Sequence, residues 1–154
     1  MWKRLTNVTS LVKMRQKQQK VLLRLTPGID PHTYEEVSTG KVDSKFGSAI
    51  ETGQAEEITL RTLAQPHVEL VGFHCHVGSQ VFGEDVFERA AAVMLEFIAA
   101  MREKHGYMAR QLDLGGGYGV RYVEEDPWLD VDVKVGQVAV SYTHLRAHET
   151  GAYL

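Results

Sequence analysis

One cysteine cannot make an internal disulfide, and Cys75 stands alone in a chain of 154 residues. The N-terminal stretch MWKRLTNVTSLV carries charge but lacks the long apolar core of a secretory signal. These absences exclude a disulfide-stapled secreted domain and lead to the expectation of a reducing, cytoplasmic setting. The sequon Asn7-Val8-Thr9 is then a chance match, because glycosylation requires secretion. No apolar run reaches the length of a membrane span, so no membrane association is expected. Nor is there a surplus of one charge: 17 Lys and Arg against 20 Asp and Glu leave a net −3, which gives no field to attract nucleic acid or anionic lipid. Nucleotide-binding motifs are missing too. Gly40-Lys41 is followed by Val42 where a P-loop needs Ser or Thr, and the glycines at 115–117 lack G-x-G-x-x-G spacing. A small-molecule ligand is the remaining expectation, in a 44% hydrophobic chain long enough for one domain with a core.

What is present reads as alternating strands and helices. The run VLLRL from Val21 is a strand that stops at Thr26-Pro27-Gly28. The segment from Ile29 to Gly47 has no helical period, and since loops of that length in compact domains are usually functional or disordered, a functional loop is the expectation. A helix is predicted from Gly53 to Ala64, with Ala55, Ile58, Leu60 and Leu63 as its apolar face and Pro66 beyond its end. VELVGFH, Val68 to His74, is a second strand, apolar enough to be covered on both faces. Asp85 and Glu88 open the next helix in a capping pattern; Phe87, Ala91, Met94, Ile98 and Met101 recur along it, and Gly106 closes it. RQLDL, Arg110 to Leu114, is the third strand. This order predicts βαβ units with a parallel sheet, whose chemistry collects at the carboxyl ends of the strands: TPGIDPHTY, HCHVGSQ and GGGYG.

The two ends of the chain read differently. Residues 1–20 finish in the basic run KMRQKQQK and are assigned to a solvated segment, while residues 21–139 form the domain. The tail, residues 140–154, contains VSYTHLRAHET, which shows no helical or strand period and looks like one reading frame of a sequencing adapter. It is expected to be non-native, and His144 and His148 are set aside with it.

In HCHVGSQ, residues two apart on an extended chain share a side, so His74 and His76 can face one cavity while Cys75 faces the opposite layer as an inert buried thiol. Same-side histidines suit a metal ion, with Asp113 as a third ligand, or an organic cofactor, or structural hydrogen bonding; spacing alone leaves all three open. Gly115, Gly116 and Gly117 remove three β-carbons, so that backbone N–H groups could converge on a phosphate; the competing reading is a tight turn beneath a neighbouring strand. Gly78-Ser79 offers a further amide and a hydroxyl, and an imidazole on the same rim could lie flat against a ring. A phosphate plus a ring suggests pyridoxal 5'-phosphate.

The segments VLLRLTPGIDPHTYEEVSTGKVDSKFG, VGFHCHVGSQVF and LDLGGGYGVRY resemble, in order and with natural spacing, the barrel-domain motifs of the diaminopimelate decarboxylases. These are pyridoxal-phosphate enzymes with an alanine-racemase-like (β/α)8 barrel. The resemblance implies an α/β fold comprising about three βα units of that TIM barrel. It implies that His76 stacks on the cofactor ring, that Ser79 and Gly115 to Gly117 bind its phosphate, and that no metal takes part. It further implies an amino-acid substrate, conversion of meso-diaminopimelate to L-lysine and carbon dioxide, and a homodimeric complete enzyme. In that family the lysine that attaches the cofactor precedes these motifs, and the glutamate facing the pyridine nitrogen follows them. Lys41, Lys45 and Cys75 match no catalytic motif, so the expectation is an internal segment of an enzyme, without catalytic residues and inactive by itself. Related arginine, ornithine or carboxynorspermidine decarboxylases, and a non-catalytic cofactor-binding barrel, are the alternatives; a metal-dependent amidohydrolase is a distant one.

Overall fold

The structure is a computed structural model that describes residues 18–29, 46–83 and 85–151, without the side chains of 141, 142 and 144–151. The basic residues 1–17 and most of the long loop, including Lys41 and Lys45, lie outside the described residues.

In chain order the elements are β1 (Gln19–Thr26), β2 (Ser48–Ala49), α1 (Gln54–Leu63), β3 (Val68–His74), α2 (Val86–His105), β4 (Gln111–Asp113) and α3 (Val131–Gly151). All strand pairs are parallel, in the order β2-β1-β3-β4, so every carboxyl end lies along one edge. The expected β1-α1-β3-α2-β4 alternation is present. β1 begins two residues earlier than its apolar run, because Gln19 and Lys20 pair with Val68 and Glu69. β2, two residues after Gly47, is too short to leave a periodic signal.

Both helices pack on one side of the sheet. Leu23, Leu25, Phe73 and Cys75 from the strands meet Ala55 and Ile58 of α1 and Met94, Phe97 and Met101 of α2 in a single buried cluster. Phe73 is at its centre, edge-on to Phe97 at 5.3 Å and to Tyr107 at 5.8 Å between ring centroids. Tyr107 Oη donates to Leu70 O at 3.1 Å, and burial pushes its phenol up to about 12. A second cluster of Ile29, Val77, Val81, Val86, Phe87 and Ala90 lies beneath the carboxyl edge.

The face of α1 differs from the expected one. Ala55, Ile58, Thr59 and Thr62 are buried, whereas Leu60 and Leu63 are 39% and 40% exposed. Buried threonines are tolerated because each hydroxyl donates to the carbonyl four residues back, Thr59 to Ala55 O at 2.6 Å and Thr62 to Ile58 O at 2.7 Å. α2 has the expected core face, but Asp85 makes no side-chain cap and instead approaches Arg89 at 3.8 Å. At the other end Gly106 takes φ +67°, its N–H donating to Arg102 O and that of Tyr107 to Met101 O.

The tail's lack of a helical period does not keep it out of α3. The helix runs through it despite apolar residues at alternate positions: Val131, Val133 and Val135 are exposed, and Val138 packs on the second cluster. Its start carries a cap that the sequence reading passed over, Asp130 Oδ1 accepting from Asp132 N–H at 3.0 Å and Val133 N–H at 3.2 Å. Among the described residues no helix is long and apolar enough to cross a membrane.

Candidate cofactor site

The sheet register builds the site. Arg24 of β1 pairs with His74 of β3, and His74 with Asp113 of β4, so a cation, an imidazole and a carboxylate stand in one row. The preceding row is Leu23, Phe73 and Leu112, and the two rows face opposite sides of the sheet. Past the strand end, Cys75 N–H donates to Asp113 O at 2.9 Å, Cys75 is buried in the helix-side cluster and His76 returns to the polar side. Burial, and then the Asp113 carboxylate, push the Cys75 thiol up to about 12 against the opposing pull of Arg24, which suits an inert core residue.

Both histidines titrate below the ordinary imidazole value. For His74 burial is the main cause and Arg24 adds to it, while Asp113 opposes; for His76 burial again leads, followed by Arg24 and His74, with Asp113 opposing. His76 therefore presents a neutral ring at neutral pH. Arg24 was missed by the sequence reading, although an arginine inside VLLRL was the available signal. Its guanidinium lies 5.0 Å from the centre of the Phe46 ring, and Thr26 Oγ1 donates to Phe46 O at 2.6 Å, so Phe46 is fastened to the end of β1. Among the described residues no group of three or more His, Cys, Asp or Glu side chains is placed to hold a metal ion.

The three glycines have separate reasons. A β-carbon on Gly117 would lie 1.8 Å from Gly78 O and 3.3 Å from His76 Cε1; one on Gly115 would lie 2.7 Å from Cys75 O and 2.9 Å from His76 Nδ1. Both also take positive φ, +99° and +73°. These two glycines let the turn lie against the neighbouring strand end and the His76 ring. Gly116 is different, with nothing within 4 Å of where its β-carbon would be. The turn is anchored by Asp113 Oδ1, which accepts from Gly115 N–H at 2.8 Å.

Ser79, exposed, stands on the adjacent segment. Val81 N–H donates to Gly117 O and Gly119 N–H to Val81 O, each at 2.9 Å, joining that segment to the glycine turn. Beneath the join Phe87 stacks on Tyr118 at 4.0 Å. The structure thus gathers His76, Ser79 and Gly115 to Gly117 on one rim, with Gly116 as its open point.

Residues 4–149 match the family described as pyridoxal-dependent decarboxylase, pyridoxal binding domain. The chain belongs to that family. Among its relatives, diaminopimelate decarboxylase of Bacillus subtilis is 42% identical over 106 residues, covering 69% of this chain and 24% of that protein. The enzyme of the same name from Actinosynnema pretiosum is 41% identical over 137 residues, 89% of this chain and 30% of that one. A solved diaminopimelate decarboxylase of M. jannaschii in co-complex with L-lysine superposes with a TM-score of 0.82 at 25% identity, covering 94% of this chain and 33% of that one. The Helicobacter pylori enzyme complexed with L-lysine gives 0.79, also at 25%, covering 92% and 35%. The pyridoxal binding domain described here is therefore α/β, a partial barrel of the alanine-racemase-like type, and it spans about a quarter to a third of the length of these relatives.

Proposed function

We propose that this chain supplies a central part of the pyridoxal phosphate site of a diaminopimelate decarboxylase. The observation that carries the reading is the glycine turn laid against His76 with Gly116 left open: a phosphate can approach the backbone at Gly116 while the cofactor ring meets the imidazole. Ser79, exposed on the neighbouring segment, adds a hydroxyl donor. The depressed His76 titration keeps that ring neutral, as an apolar stacking surface requires. When bound, pyridoxal phosphate supplies the electron sink for the carbanion left by loss of carbon dioxide. The residues of this chain hold and orient: His76 the ring, Ser79 and Gly115 to Gly117 the phosphate. None is assigned to covalent attachment.

The substrate proposed is meso-diaminopimelate, giving L-lysine and carbon dioxide, in a cytoplasmic homodimer. It is supported by relatives of that name at about 40% identity and by related structures holding L-lysine. Residues 21–139 are assigned the site, and residues 140–154 are taken as a non-native addition because VSYTHLRAHET looks like one reading frame of a sequencing adapter. Carbon dioxide release by the complete enzyme bearing this segment is the test. Turnover should be at least about a hundredfold faster on meso-diaminopimelate than on arginine or ornithine, a difference of about 2.7 kcal/mol. Preference for either of the latter would overturn the substrate.

A further inference from the structure

Gln80 is the only non-glycine residue with positive φ among those described, at +54°. A side chain other than Gly or Asn is uncommon in that region, and such conformations persist only where the surroundings over-determine them. Here the side chain itself does so. Gln80 Nε2 donates to Val120 O at 3.0 Å, and Gln80 Oε1 accepts from Val120 N–H at 2.9 Å. The amide thus pairs with one backbone residue as a neighbouring strand would. With the two backbone bonds through Val81, four hydrogen bonds lace the Ser79 segment to the segment leaving the glycine turn, and one side chain makes half of them.

We propose that Gln80 is a positioning residue for the phosphate: its amide bridge to Val120 fixes the spacing between the Ser79 hydroxyl and the open backbone at Gly116. A dianion held from two chain segments needs those donors at a set separation, and a flexible join would leave them to be ordered at the moment of binding. Neither the stacking surface nor the reacting atoms involve Gln80, so its effect should be confined to the phosphate. The assignment rests on the reading of this rim as a phosphate site.

The test is titration of the complete apoenzyme with pyridoxal phosphate and, separately, with pyridoxal, in wild type, Gln80→Ala and Gln80→Gly. Glycine adopts the observed φ without strain but lacks the amide, so it separates the bridge from the backbone conformation. Both variants should bind pyridoxal phosphate about tenfold more weakly while binding pyridoxal within about twofold of wild type. A general loss of structure would weaken both ligands equally and would overturn the assignment. So would a wild-type preference for the phosphorylated ligand retained in either variant. A wild type without that preference would overturn the phosphate reading itself, and the assignment with it.

Discussion

Leu23 and Arg24 are consecutive on β1, and the rows they begin have opposite fates. Leu23 and Phe73 are 4% and 0% exposed beneath two helices, with Leu112 packed against them. Arg24 and His74 are half-buried and Asp113 is exposed. One face of the sheet is a packed interior; the other is a wall on which charge can be arranged. The period of two makes them inseparable in sequence, since a slip by one residue would drive a guanidinium into the core and a phenyl ring onto the site. Fold stability belongs to the first face and ligand chemistry to the second.

That division can be broken first at Phe73. Phe73→Ala removes the ring that joins Phe97 and Tyr107 and should destabilise the complete enzyme by about 3–5 kcal/mol in denaturant unfolding. Loss of cofactor without loss of stability would mean the helix-side row belongs to the site. A smaller effect sharpens the other face. His74 and His76 both titrate below the unfolded value of 6.5, so their contribution to stability is complete above that pH and is lost as pH falls below it, when they must take up protons in a half-buried place and beside Arg24. Between pH 6.5 and 5 the melting temperature should fall, and less steeply in His74→Asn. The Glu56 carboxylate, lowered by its bond to His105, would add its loss only below its unfolded value of 4.5. An identical slope in wild type and His74→Asn would show that His74 has no part in it.

The strands and the two sheet-covering helices were legible because their apolar periods are long: α1 and α2 begin and end within a residue or two of the sequence boundaries. The face of α1 was not, because Thr59 and Thr62 satisfy their hydroxyls internally and are buried in place of Leu60 and Leu63. β2 is too short, and α3 too even in its valines, for periodicity to reveal either. At the candidate site the same-side geometry of His74 and His76 followed from spacing. The separate reasons for the three glycines did not, because they depend on Gly78 O and the His76 ring, which lie close only after β3 and β4 pair. Gln80 was equally hidden, since its partner Val120 is forty residues away.

The central claim, that the polar rim holds a phosphate, is tested most directly at Gly116. Gly117 is the poorer position, because a β-carbon there would meet Gly78 O at 1.8 Å and disturb the turn whatever its charge. Gly116 has room, so Gly116→Asp adds little but a negative charge. In the complete apoenzyme, affinity for pyridoxal phosphate should fall at least about tenfold, roughly 1.4 kcal/mol, with pyridoxal binding and the unfolding midpoint unchanged. Undiminished affinity for pyridoxal phosphate in that variant would contradict the account.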